Sequence, residues 1–111
     1  MASESSPITF AEMRRGCYDP AARVEDMDRD GVWAQLCFPT FARFAGTRFL
    51  QDCPNRELAA ACVRAYNDFQ VDWASADPRR LLAVTSLPFW DVDAAVAEVE
   101  RWLATHLAYE P

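Results

Sequence analysis

The sequence predicts a parallel α/β fold, in the order α-β-α-β-α with two parallel strands. Three observations carry this. The stretch from Asp19 to Thr40, DPAARVEDMDRDGVWAQLCFPT, reads as a capped helix, a one-glycine stop and an apolar strand that ends on a proline. The same grammar returns from Asn55 to Pro88. Both predicted strands are nearly continuously apolar, the pattern of parallel strands covered on both faces.

Composition sets the frame. A chain of 111 residues holds one domain. Its 51% apolar content, four Trp and seven Phe are globular, well above what a disordered segment carries. The net charge of −6, with no basic run, argues against nucleic acid and against anionic membrane surfaces. No apolar run approaches the roughly 20 residues of a membrane-spanning helix. The opening MASESSPITF has neither a basic nor an apolar block, so it reads as a short tail rather than a signal peptide. The four cysteines at 17, 37, 53 and 62 form no C-x-x-C, which speaks against zinc-ribbon and thioredoxin chemistry. Cys37 and Cys62 fall on apolar positions and read as buried thiols. A reducing cytoplasm is the expected compartment.

The elements follow in order. Residues 1–18 read as an N-terminal tail, 19–107 as the α/β segment and 108–111 as a C-terminal tail. Asp19 at the N-cap and Pro20 at the first helical position start a helix. Ala21, Val24 and Met27 share one face, and Glu25, Asp26, Asp28 and Arg29 take the others. Gly31 stops it, because glycine accepts the left-handed turn. A strand is expected from Val32 to Phe38, with Gln35 its one polar interruption, ended by Pro39. Residues 39–54 make a long loop, rich in aromatics, with Arg43 and Arg48. It reads first as packing, through Phe41, Phe44 and Phe49, and second as substrate contact. Asn55 caps a helix to about Ala76. Its stripe Leu58, Cys62, Tyr66, Phe69 and Trp73 is expected in the core. Asp77-Pro78 breaks the helix, a second strand runs Leu81–Leu87, and Pro88 ends it. Asp91 caps the last helix, with Val92, Val96, Val99 and Leu103 as the expected inner stripe beside Ala95 and Trp102. That helix fades after His106.

Candidate chemistry is sparse. His106 is the one histidine, and a histidine near a helix C-terminus suits the dipole. A Cys37–His106 dyad has no supporting pattern. Zinc catalysis needs three converging ligands, which the chain does not supply. No nucleophile elbow and no glycine-rich phosphate loop occurs. The carboxylates read as caps (Asp19, Asp91) or as solvated helix faces (Glu25, Asp26, Asp28, Glu98, Glu100). Position is the better guide. Parallel α/β folds bind ligands at the carboxyl ends of their strands. Those ends are Phe38-Pro39-Thr40-Phe41 and Pro88-Phe89-Trp90. Arg43 is the cation nearest to them in sequence, suited to clamp a carboxylate. Thr40, Phe41, Arg43, Phe89 and Trp90 are therefore the candidate pocket wall.

The runs ITFAEMRRGCYDPAARVEDMDRDGVWAQLCFPTF, AYNDF and DPRRLLAVTSLPFWDVDAAVAEVER resemble the amidohydrolase-related family. More narrowly, they resemble the branch similar to aminocarboxymuconate-semialdehyde decarboxylase. The resemblance covers roughly residues 8–104. It implies part of a metal-dependent (β/α)8 TIM barrel, from about its first helix to its third. Such enzymes hydrolyse, or decarboxylate without oxidation, small and often aromatic acids. A full barrel takes about 250 residues. The family's divalent metal, zinc or similar, sits on an H-x-H pair of the first strand, on later histidines and on a final aspartate. No H-x-H occurs here and His106 matches none of these, so no catalytic or metal-ligating residue is carried over. The resemblance implies a fragment that is inactive alone and holds no cofactor. It implies a small-molecule substrate only in a complete barrel. The alternative is a small non-catalytic α/β module that self-associates through its open sheet edges.

Overall fold

The computed structural model describes residues 7–38 and 47–106. Four α-helices and two strands fall in this range. Their order is α1 (Pro20–Asp30), β1 (Gln35–Cys37), α2 (Thr47–Asp52), α3 (Arg56–Ala74), β2 (Leu81–Ala83) and α4 (Val92–His106), with a 3-10 turn at Arg15–Cys17 before α1. The two strands are parallel, with Gln35 opposite Leu81, Leu36 opposite Leu82 and Cys37 opposite Ala83. The α/β class and the parallel pairing read from the sequence are those of the structure.

Local chemistry explains where the helices start and stop. The Asp19 carboxylate accepts hydrogen bonds from the backbone N–H groups of Ala21 (3.0 Å) and Ala22 (3.3 Å), and Pro20 supplies a preset φ. Gly31 ends α1 at φ 71°, and the Val32 N–H bonds back to the Met27 carbonyl at 2.9 Å. Asn55 caps α3 through Glu57 N (3.0 Å) and Leu58 N (3.2 Å). Asp91 does the same for α4 through Ala94 N (3.1 Å).

The strands are shorter than the apolar runs that predict them. Val32 and Trp33 do not join the ladder, because the Arg80 guanidinium takes their carbonyls at 3.1 and 2.8 Å. Arg80 also pairs with Asp28 at 2.7 Å and lies 5.5 Å from the Trp33 ring centre. One side chain thus joins the end of α1 to the starts of both strands. Beyond Ala83 the ladder gives way again, and Ser86 bonds to a side chain of α3. The sheet is also not covered on both faces. Leu36 and Leu82 share one face and are 58% and 40% exposed, while Leu81, on the other, is buried with Met27 and Ala74.

On α1 the expected face holds, with Met27 in the core and Val24 packed against it, but α3 and α4 bury faces other than those expected. On α3 the buried residues are Ala59, Val63, Asn67, Gln70 and Ala74. Leu58 and Phe69 are exposed, while Cys62, Tyr66 and Trp73 are partly covered. On α4 the stripe Val92, Val96, Val99 and Leu103 faces solvent, and Glu98 is the buried residue at 2% exposed. Small residues and amides let α3 approach the strands closely, which a face of Leu, Tyr and Phe would prevent. Glu98, read as a solvated carboxylate, is instead drawn inward by Asn67 and Arg101. The long loop carries a helix of its own, α2, whose Arg48 pairs with Asp52 at 2.6 Å. Phe49 is half-buried; Phe41 and Phe44 lie outside the described residues.

Candidate functional site

The two strand exits lie side by side because β1 and β2 are neighbours in a parallel sheet. At the β2 exit, Pro88 is buried and Phe89 and Trp90 follow it. Their rings meet edge to face, with centres 5.4 Å apart and planes at 78°. Phe89 is exposed and Trp90 half-buried. Backbone bonds from Phe89 N to Leu87 O (2.8 Å) and from Asp91 N to Pro88 O (3.0 Å) fold this segment into a tight turn before α4. At the β1 exit, Phe38 is exposed. Thr40, Phe41 and Arg43, the other wall candidates, lie outside the described residues. The structure therefore brings Phe89 and Trp90 together.

Two amides on α3 reach both exits. The Gln70 side chain donates from Nε2 to the Cys37 carbonyl at 2.6 Å. Asn67 donates from Nδ2 to the Ser86 carbonyl at 2.8 Å, and its Oδ1 accepts the Ser86 N–H at 2.8 Å. Asn67 Nδ2 also reaches Glu98 Oε1 at 3.0 Å. Arg101 then grips Glu98 with two bonds, of 2.9 and 2.7 Å, and Asp68 with a third of 2.9 Å. The hydrogen bonds from Arg101 hold the Glu98 carboxyl below its ordinary range, aided by Asn67 and opposed by burial. The same carboxylates push the Arg101 guanidinium upward. Burial, and secondarily Cys37, raises the Tyr66 phenol. Gln70 Oε1 is a buried acceptor without a hydrogen-bond partner.

The apolar pattern of the sequence does not single out Asn67, Gln70 or Arg101, and it places Glu98 on a solvated face. A signal was there. Asn67 and Gln70 interrupt the small-residue series Ala59, Val63 and Ala74 at helical spacing, on the face next to the large apolar stripe. Glu98 and Arg101 stand three apart, a spacing that pairs side chains.

Two hollows flank these elements. One of about 260 Å³ between α3 and α4 is lined by Ala60, Arg64, Pro88, Ala94, Glu98 and Arg101, among others. A second, of about 370 Å³, lies along α1, but its charges are spent on each other. Arg14 pairs with Asp26 at 2.6 Å and Arg15 with Asp19 at 3.0 Å. Among the described residues, no group of three or more His, Cys, Asp or Glu side chains is placed to hold a metal ion. His106 closes α4, and its side chain lies outside the described residues. No helix among the described residues is long and apolar enough to cross a membrane.

No family model matches the chain. A curated protein does. The chain is similar to a decarboxylase. The relative is the 2-amino-3-carboxymuconate-6-semialdehyde decarboxylase of Dictyostelium discoideum, 26% identical over 92 residues. The match takes in 83% of this chain and 24% of the decarboxylase, so the chain spans about a quarter of its relative's length. The decarboxylase likeness agrees with the family that the residues themselves resemble.

Proposed function

We propose that this chain is a segment of a metal-dependent (β/α)8 barrel of the amidohydrolase-related family, from about the first helix to the third. The support is one coincidence: a parallel strand–helix–strand pair in register, within a chain similar over 92 residues to a carboxymuconate-semialdehyde decarboxylase. The complete barrel hydrolyses a small acid, aromatic or unsaturated, or decarboxylates it without oxidation. The strand exits supply part of its pocket wall. There Phe89, Trp90 and Phe41 stack on the substrate, Thr40 offers a hydroxyl, and the planar Arg43 guanidinium meets a carboxylate.

The described residues do not fit the family's divalent metal, zinc or similar, because their donors do not converge. Its ligands are assigned to other strands of the barrel, and the 111-residue chain is expected to be inactive alone. The assigned compartment is the cytoplasm and the partner a small molecule. Assay of the purified chain with added zinc or manganese tests this, with no turnover of unsaturated or aromatic acids expected. Robust metal-dependent turnover would overturn the reading. The coding DNA on either side gives a second check, through an in-frame or frameshifted H-x-H upstream. A non-catalytic module that self-associates is the second reading, favoured by the open face of Leu36 and Leu82. A discrete, cooperatively unfolding oligomer on size-exclusion chromatography would select it.

A further inference from the structure

The Asn67 side chain treats Ser86 as a neighbouring strand would. It accepts the Ser86 N–H and donates to the Ser86 carbonyl, both at 2.8 Å. An antiparallel partner residue exchanges this same pair of bonds. Gln70, three residues on, does half as much for β1 by donating to Cys37 O. Both side chains are buried, Asn67 at 1% and Gln70 at 5% exposed. The bonds of Asn67 hold it to a single rotamer, since any other leaves polar groups unpaired. For Asn67 only one amide orientation works, because a flipped amide would set its N–H₂ against the Ser86 N–H.

We propose that Asn67 and Gln70 are positioning residues: amides one turn apart on α3 that stand in for a neighbouring strand at the exits of β2 and β1, and so fix where the Phe89–Trp90 wall stands. The inference rests on the reading of that turn as a pocket wall. It assigns α3 a role the sequence hides, since the helix reaches the site through polar side chains of its buried face. Glu98 and Arg101 extend the device to the other side of the turn. Asn67 Nδ2 binds Glu98, and Glu98 is held twice by Arg101. The turn Leu87–Asp91 is therefore anchored before its start by α3, while the helix that follows it is tied to the same amide.

The test reads geometry rather than turnover. The full chain is labelled with 5-fluorotryptophan, and the four tryptophan signals are assigned by single Trp→Phe variants. Asn67→Ala is expected to move the Trp90 signal, with Trp102 on α4 following, while Trp33 and Trp73 stay in place. It should also speed exchange of the Ser86 amide roughly tenfold, the loss of about one buried hydrogen bond. Gly31→Ala serves as the control. It weakens the fold at the end of α1, and should leave Trp90 and Ser86 unchanged. A purely structural role for Asn67 predicts instead that all four signals respond alike in both variants. That result, or an unmoved Trp90, would overturn the proposal. Should Asn67→Ala fail to fold, the Ser86 amide of the unmutated chain decides. Slow exchange supports the clamp, and exchange as fast as in exposed loops sinks it. None of these readouts uses a ligand. Failure of an aromatic acid to perturb Trp90 in the complete barrel would count against the wall reading alone.

Discussion

Glu98 is the residue whose environment departs furthest from its sequence neighbours. Its carboxyl is held below its ordinary value near 4.5, chiefly by Arg101. The lowered value means that its stabilising contribution is present above pH 4.5 and is lost as pH falls through the folded-state value. Urea unfolding of the parent and of Glu98→Gln should therefore differ most near neutrality and converge as pH falls below the lowered folded-state value. Arg101→Met removes the partner and leaves a buried carboxylate. A loss on the order of 2 kcal/mol is expected at neutral pH, reduced from the buried-pair range because Arg101 is partly exposed. Gly31 is a backbone case. A Cβ there meets nothing within 4 Å, so the cost of Gly31→Ala comes from φ 71° alone. About 1 kcal/mol is expected, read as a lower thermal midpoint.

At the scale of elements, one step along β2 should change the outcome of the same substitution. Leu81 is buried against Met27 and Ala74, so Leu81→Ala should cost about 2–4 kcal/mol. Leu82 points to the open face, and Leu82→Ala should stay within about 0.5 kcal/mol in this chain. On the proposed barrel reading that face would turn inward, and the two costs should then approach each other. Denaturant midpoints in both contexts check this. The same contrast shows what the sequence could disclose. Caps and stops were legible at Asp19, Gly31, Asn55 and Asp91, because each is local chemistry within four residues. The parallel pair was legible from two apolar runs separated by a helix. The face of α1 was legible too, through Met27 and Val24, but the faces that α3 and α4 bury were not. Leu58 and Phe69 are hydrophobic enough to promise a core, yet the surface they would pack against is absent from the described residues. Asn67, Gln70 and Glu98 are polar enough to promise solvent, yet their partners are residues remote in sequence. Of the five wall candidates, chosen by position alone, Phe89 and Trp90 fall within the described residues.

For the whole molecule, shape carries the same message. The principal extents are 44 × 43 × 22 Å, a slab half as thick as it is wide. Its radius of gyration is 15.8 Å, against about 13 Å for a compact domain of this length. Accessible surface is 8190 Å², where a closed monomer of 12.6 kDa exposes roughly 6200 Å². The difference is the size of a large interface, and it is apolar where Val92, Val96, Val99 and Leu103 line α4. A dye that fluoresces on apolar surface should bind the 111-residue chain strongly. Val96→Lys with Val99→Lys should weaken that binding while leaving the thermal midpoint within a few degrees, because neither side chain is buried.

Arg80 has a consequence in time as well as in space. Its bonds to Val32 and Trp33 span 48 and 47 residues. On a ribosome adding about 5–20 residues per second, the first strand emerges and waits roughly 2–10 s before the arginine that organises its entry emerges in turn. In that interval α1 can form, since its cap and stop are local, but WAQLCF has no β2 to pair with. Synthesis speed after β1 has left the ribosome should thus govern how much of the nascent chain is captured by chaperones, and slow codons translated in that interval should lengthen the exposure of a segment the finished protein half conceals.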